Sequence, residues 1–235
     1  MLYLYFQGQV LKLSKRLKLI KSMVPPHYDH IWDCCCDHGY LGAALLDKQN
    51  DETIHFIDIV PELMQSLESK LQAFYDQHNW RVHCLDVSHL PLQDHKGKHL
   101  VIIAGVGGDL TAQFISNINA QHPNLDIDYL VCPVHHLFTL RAKLNELKLG
   151  LVQEALVEDN KRFYEVMLLS SKSNSQPVSA VGKQIWQAEN AIQLDVAERY
   201  LKQMLSHYQR IAKGKNNDVA HIISAYKQVV PSIKA

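Results

Sequence analysis

Carboxylates stand at the ends of successive apolar runs in this chain, and they are the groups best placed to do chemistry. The first run leads into Asp33-Cys34-Cys35-Cys36-Asp37-His38-Gly39-Tyr40-Leu41. The second ends at Asp58-Ile59, the third at Asp86-Val87, and the fourth at Ala104-Gly105-Val106-Gly107-Gly108-Asp109. A single Asp after a strand is more often a turn former or helix cap than a ligand. Three in register suit a nucleoside-shaped molecule carrying an amino acid. One carboxylate near Asp33–Asp37 can orient an ammonium, Asp58 can accept from both ribose hydroxyls, and Asp86 can accept from an adenine amine. Asp37 and Asp58 are 21 residues apart, close to the roughly 20 that separate a phosphate loop from a ribose carboxylate. The GxGxxG turn that brings backbone up to a pyrophosphate is absent, with Cys34, Cys35 and Cys36 in its place. A nucleoside cofactor without pyrophosphate, S-adenosylmethionine, is therefore expected rather than a nicotinamide dinucleotide. Its binding set would be Asp33, Cys34, Cys35, Cys36, Asp37, Asp58, Ile59, Asp86, Val87, Ala104, Gly105 and Val106.

Elements able to hold such a set alternate along the chain. Strands are expected at His30–Cys34, Thr53–Asp58, Trp80–Leu85, His99–Ala104 and Tyr129–Cys132. Helices are expected at Tyr40–Asp47, Pro61–His78, Leu110–Gln121 and Phe138–Leu147. This period implies right-handed crossovers and an α/β, mostly parallel, doubly wound sheet. Leu151–Glu158 and Phe163–Leu169 read as a closing antiparallel hairpin. Apolar spacing predicts a basic helix over 9–23, stopped by Pro25-Pro26. Ser170–Pro177 reads as a linker, followed by helices over Val181–Ala212 and Asn217–Val230. The domains expected are 9–170, a Rossmann-like unit with the basic helix, and 171–235, a linker with a small helical domain. Residues 1–8 contain Leu4-Tyr5-Phe6-Gln7-Gly8, which resembles the tail of a protease-cleavable linker, and are set aside.

Composition narrows the class. Charges balance over 235 residues, but residues 1–21 carry Lys12, Lys15, Arg16, Lys18 and Lys21 and no acid. Residues 183–235 hold eight Lys/Arg against four Asp/Glu, and the stretch between is acidic. Basic ends on an acidic body fit phosphate-binding surfaces, although solvated helix faces give the same pattern. The five cysteines lack disulfide or zinc spacing and read as reduced apolar fillers. The 14 histidines look scattered, with no HExxH or CxxC spacing, so no metal is expected. No apolar run reaches about 18 residues and no secretory signal is visible, which points to a cytoplasmic protein without a membrane span.

Leu13-Ser14-Lys15-Arg16-Leu17, the Asp33–Leu41 turn, Asp58, Ile103-Ala104-Gly105-Val106-Gly107-Gly108 and Tyr164-Glu165-Val166 occur in order and at compatible spacing. In this the chain resembles the bacterial tRNA (adenine-22 N1)-methyltransferase family (TrmK-type) over roughly residues 11–170. Leu140-Arg141 and Glu154 to Glu158 look like later segments of that family. Cys35 replaces the family's loop glycine, and Cys132-Pro133-Val134 replaces its Q-P-N. The resemblance implies a class I methyltransferase fold and methyl transfer from S-adenosylmethionine to N1 of an adenine in tRNA. Asp37 or Asp109 would stabilise the developing charge on the ring. His38 and Tyr40 would line the pocket. Lys15, Arg16 and Lys18 would grip tRNA phosphates alongside Arg199, Lys202, Arg210, Lys213 and Lys215. A monomer or weak homodimer is expected. Methylation of another RNA, a protein or a small molecule is the alternative, as is a non-catalytic binding module; a nicotinamide-dependent oxidoreductase is disfavoured by the absent GxGxxG.

Overall fold

A computed structural model of the chain describes residues 5–6, 9–10, 13–46, 51–171, 176–214 and 218–234. Its centre is a seven-stranded sheet. The strands are β1 (His30–Cys34), β2 (Thr53–Asp58), β3 (Trp80–Cys84), β4 (His99–Ala104), β5 (Ile127–Cys132), β6 (Gly150–Asp159) and β7 (Arg162–Ser170). Their spatial order is β3-β2-β1-β4-β5-β7-β6. The first five are parallel, while β7 runs antiparallel to β5 and β6 antiparallel to β7. This is the class I methyltransferase arrangement. Strand order reverses between β1 and β4, so their carboxyl ends flank the crevice where such sheets bind ligands.

Two apolar layers enclose the sheet because its central strands are apolar on both sides. Helices α1 (Lys15–Met23), α2 (Tyr40–Leu46) and α3 (Pro61–Phe74) cover one face through Ile20, Leu45 and Leu67, against Ile31, Phe56 and Ile102. Helices α4 (Gly108–Gln121) and α5 (Leu137–Glu146) cover the other through Ile115, Ile118 and Leu140, against Val101, Ile103 and Val131. A third cluster packs α6 (Ala191–Ala212) and α7 (Ala220–Lys227) around Trp186, Tyr200, Tyr208 and Tyr226, with Phe138, Leu156 and Phe163 reaching in from α5 and the hairpin. No helix among the described residues is long and apolar enough to cross a membrane.

An ion network beneath that third cluster joins the hairpin to the C-terminal segment. Arg141 is fully buried and donates to Glu165 through Nε at 2.9 Å and to Glu154 through Nη2 at 2.6 Å. Its Nη1 reaches the Ser179 carbonyl at 3.0 Å. The Tyr200 hydroxyl donates to Glu165 at 2.6 Å, and the Gln184 amide to Glu154 at 2.7 Å. Buried charges survive only when paired and saturated with hydrogen bonds in this way.

Several boundaries differ from expectation. The first helix spans Lys15–Met23 rather than 9–23, because the Ser14 hydroxyl accepts from the Leu17 amide and caps it there. Gln9–Val10 instead pairs antiparallel with Tyr5–Phe6. The helix expected from Pro61 ends at Phe74, where a turn redirects the chain into β3. Residues 181–190 are not helical. Gly182 takes φ +84°, Gln184–Trp186 form a 3-10 turn, and Gln187–Ala188 pair with Ser232–Ile233. Helix α6 starts only after Asn190, whose side chain accepts from the Gln193 amide at 3.0 Å. The last helix is shortened from 217–230 to Ala220–Lys227. In the expected linker, Ser170 belongs to β7 and Gln176 bridges Leu151, while residues 172–175 lie outside the described residues.

Candidate active site

Beyond β1 the chain makes a tight turn with three left-handed residues, Cys35 (φ +56°), Asp37 (φ +51°) and Gly39 (φ +71°). Only Gly adopts that conformation freely, and each L-residue there costs about 1–2 kcal/mol. Strain of this kind persists where surrounding contacts dictate the backbone. Two such contacts are visible. The Cys36 amide donates to the Ile57 carbonyl at 3.1 Å, and the Asp37 amide to Asp58 Oδ2 at 3.1 Å. The turn is thus fastened to the end of β2 by the carboxylate that was expected to face a ribose.

A cavity of ≈ 320 Å³ opens above the carboxyl ends of β1 and β4. Its walls include Asp33, Cys35, Cys36, Asp37, His38, Tyr40, Ala104 and Gly105. Asp33 is 3% exposed, and its Oδ2 accepts from the Gly42 amide at 2.8 Å. Burial, helped by the nearby Asp58 and opposed by the Gly42 hydrogen bond, raises its carboxyl from 3.8 to about 7. Asp58 is half-buried, and its Oδ1 accepts from the Ile59 amide at 2.8 Å. Asp86 caps a 3-10 turn through the Ser88 amide at 2.7 Å. Asp33 alone of the three lines the cavity; Asp58 holds the turn beside it, and Asp86 lies outside the lining. Burial, then Asp58, Asp33 and Asp86 in turn, push the Cys35 thiol up to about 12. Burial also raises the Cys34 and Cys36 thiols. Burial thus favours the thiol form of all three, which argues against a thiolate nucleophile here. Gly105 has φ +93°, and a Cβ there would lie 3.9 Å from the Arg16 guanidinium.

Not every expected residue reaches this cavity. Cys34 is 1% exposed and points into the core, its thiol donating to the Trp32 carbonyl. Val87 is 3% exposed, also in the core, whereas Ile59 lies open to solvent. Val106 packs on the core and takes the Val134 amide on its carbonyl. Among the catalytic candidates, Asp37 and His38 line the cavity, 3.7 Å apart. Asp109 does not; it starts α4 and pairs with His136. Lys15, Lys18 and Lys202 are exposed as expected. Arg199, by contrast, is committed to Glu158 at 2.8 and 2.9 Å and to Asp195 at 2.8 Å. Lys215 lies outside the described residues.

Arg16 is the residue that sequence reasoning misplaced. Rather than facing outward, it walls the cavity and lies 5.0 Å over the Tyr164 ring. Its amide and that of Lys15 donate to Asp159, which orients the helix start over the strand ends. A larger cavity, ≈ 460 Å³, lies between the hairpin and the C-terminal segment. Glutamines line it together with Glu154 and the paired Glu189 and Lys234, and none of the strand-end carboxylates is in its wall.

Comparison with known proteins agrees with this geometry. A methyltransferase-domain family profile matches residues 13–167. The Mycoplasma genitalium protein MG248, named provisionally as a tRNA methyltransferase, is 28% identical over 159 residues, covering 67% of this chain and 69% of its own. The crystal structure of the Bacillus subtilis m1A22 tRNA methyltransferase TrmK superposes with a TM-score of 0.68 at 20% identity, over 93% of this chain and 99% of that one. Mycoplasma capricolum TrmK, solved with S-adenosyl-homocysteine, gives 0.66 at 17% identity, over 92% and 94%. With the family profile spanning the whole strand-end cleft, the chain belongs to the methyltransferase-domain family.

Proposed function

We propose that this S-adenosylmethionine-dependent methyltransferase acts on N1 of an adenine in tRNA. The observation that carries the reading is a cavity at the topological switch point walled by Asp33 and by a strained turn that Asp58 fastens, with Asp86 at the end of the next strand. Asp33 would take the methionine ammonium, Asp58 the ribose hydroxyls and Asp86 the adenine amine. The cofactor, when bound, supplies a methyl group already activated on a sulfonium.

The protein then has to align the nucleophile and exclude water. Adenine N1 attacks with an in-plane lone pair, so no base is required to deprotonate it. The ring becomes cationic as the bond forms, and Asp37 at the mouth of the cavity places a carboxylate to offset that charge. His38 and Tyr40, with rings 5.7 Å apart, supply a polar and aromatic rim for a base. Exocyclic-amine methyltransferases carry (D/N)PP(Y/F) at the end of the fourth strand. This chain has Ala104-Gly105-Val106-Gly107-Gly108, which favours ring-nitrogen chemistry. Exposed Lys15, Lys18 and Lys202 are the phosphate contacts in this reading, and MG248 and TrmK supply the tRNA precedent.

The test is transfer of a tritiated methyl group to unmodified bulk tRNA, followed by identification of the labelled nucleoside. Label in 1-methyladenosine supports the proposal. Label in another nucleoside, or on protein alone, replaces the substrate while leaving the methyl donor in place.

A further inference from the structure

The histidines that look scattered along the chain are not scattered in space. His30 begins β1, His55 lies within β2, His83 within β3, and His99 begins β4. His95 follows the 3-10 turn Leu92–Asp94 and comes down on the same group. The cluster sits near the amino ends of the strands, whereas the proposed donor cleft lies beyond their carboxyl ends. Trp32 forms its floor, stacked on His55 with 3.8 Å between ring centroids.

We propose that His30, His55 and His95 form a binding site for a zinc-like divalent transition metal. One ligand nitrogen from each lies within 4.8 Å of the other two. His30 Nδ1 and His55 Nε2 are 3.1 Å apart, close to the edge of about 3.3 Å that two nitrogens span around tetrahedral zinc. The far nitrogen is held on two of the three rings, as metal-bound imidazoles require. His30 Nε2 lies 3.2 Å from the Lys96 carbonyl, and His55 Nδ1 lies 3.0 Å from His83 Nε2. His99 lies outside this group of three, and its buried Nε2 has no hydrogen-bond partner among the described residues. Its Nδ1 accepts from the Trp32 indole at 3.2 Å.

Protons balance without any being released. In the metal-free protein a one-way chain links three of the rings: His83 Nε2–H to His55 Nδ1, His55 Nε2–H to His30 Nδ1, and His30 Nε2–H to Lys96. On metal binding His55 changes tautomer and donates from Nδ1, while His83 carries its proton on Nδ1. The lone pairs of His30 and His55 then both face the ion. Burial favours the neutral form of His55 and His83 that this needs. Among the three ligands there is no carboxylate, so the site prefers zinc, copper or nickel to magnesium or calcium. Arg81 opposes the ion's charge from nearby, with Asp94 close to His95 as partial compensation. His95 is half-buried, which leaves a solvent route and a fourth position for water.

The experiment uses the full chain without a polyhistidine tag, stripped with chelator and titrated with Zn2+ by calorimetry and Co2+ by visible absorption. One equivalent, a tetrahedral cobalt band and a Tm rise of about 5–10 °C at hundredfold excess over Kd are expected. His95→Ala should weaken binding at least ~10-fold and leave S-adenosylmethionine affinity unchanged, which checks its folding. His207→Ala, at an exposed position, should change nothing. Absence of the tetrahedral band, or zinc affinity insensitive to His95→Ala, overturns the proposal and leaves the tRNA assignment untouched.

Discussion

Replacing Asp33 with asparagine should stabilise the cofactor-free protein while destroying its hold on the donor. The carboxyl is raised from 3.8 to about 7 in the fold, by burial first and Asp58 second. Between those values the folded state keeps a proton that the unfolded state has lost, so stability falls as pH rises. The contribution is whole below pH 3.8 and gone above about 7. At ~1.4 kcal/mol per unit, the penalty is about 4 kcal/mol at pH 8 and about 1.5 kcal/mol at pH 5. Asparagine cannot ionise and keeps an oxygen for the Gly42 amide, but its buried NH2 gives back about 1–3 kcal/mol. The net gain at pH 8 is about 1–3 kcal/mol, or ~3–10 °C in Tm for a chain of this size. Thermal unfolding of both proteins at pH 5 and pH 8, with and without S-adenosylmethionine, reads all of this. Donor should raise the wild-type Tm strongly and the variant's little. A variant less stable than wild type at pH 8 without cofactor would refute the burial argument. Equal stabilisation of both by donor would refute the ammonium contact.

Three further outcomes are expected. Asp58→Asn should weaken S-adenosylmethionine binding by about 10- to 100-fold, the worth of charged hydrogen bonds to a ribose, measured by calorimetry. Gly42→Ala should cost about 1–3 kcal/mol in urea unfolding, because its Cβ would fall 2.2 Å from the Phe56 ring. Arg141→Met should cost about 3–5 kcal/mol by stranding two buried carboxylates. Adding Glu154→Gln and Glu165→Gln should recover most of that loss, since amide oxygens still accept from Tyr200 and Gln184.

The sheet was legible because its strands are short apolar runs closed by turn-forming segments, and His30–Cys34, Thr53–Asp58 and His99–Ala104 match residue for residue. Element ends were harder wherever a local side chain outweighed the apolar pattern. Ser14 starts α1 and Asn190 starts α6 by capping, although helical spacing extends beyond both. Within the site, Asp33, Cys35 and Gly105 were readable from their place after strands. The inward turn of Arg16 was not, since lysines around it suggested a uniformly solvated face. The histidine cluster was hidden for a different reason. Its members come from four strands and a loop, and only the parallel register brings His55 beside Trp32 and His30 beside His99.

The Arg141 network carries a consequence for how an RNA would be received. Its carboxylates come from the hairpin, and its remaining partners come from the chain leading into α6. Pulling the helical appendage away from the catalytic unit would therefore leave Arg141 paired with Glu154 and Glu165 but strip the trio of its Ser179, Gln184 and Tyr200 hydrogen bonds at once. If the proposed tRNA function holds, an RNA touching both halves would meet a hydrogen-bonded bracket rather than two loosely joined parts. Amide exchange in α6 and in the hairpin should accordingly slow and quicken together, as one cooperative unit.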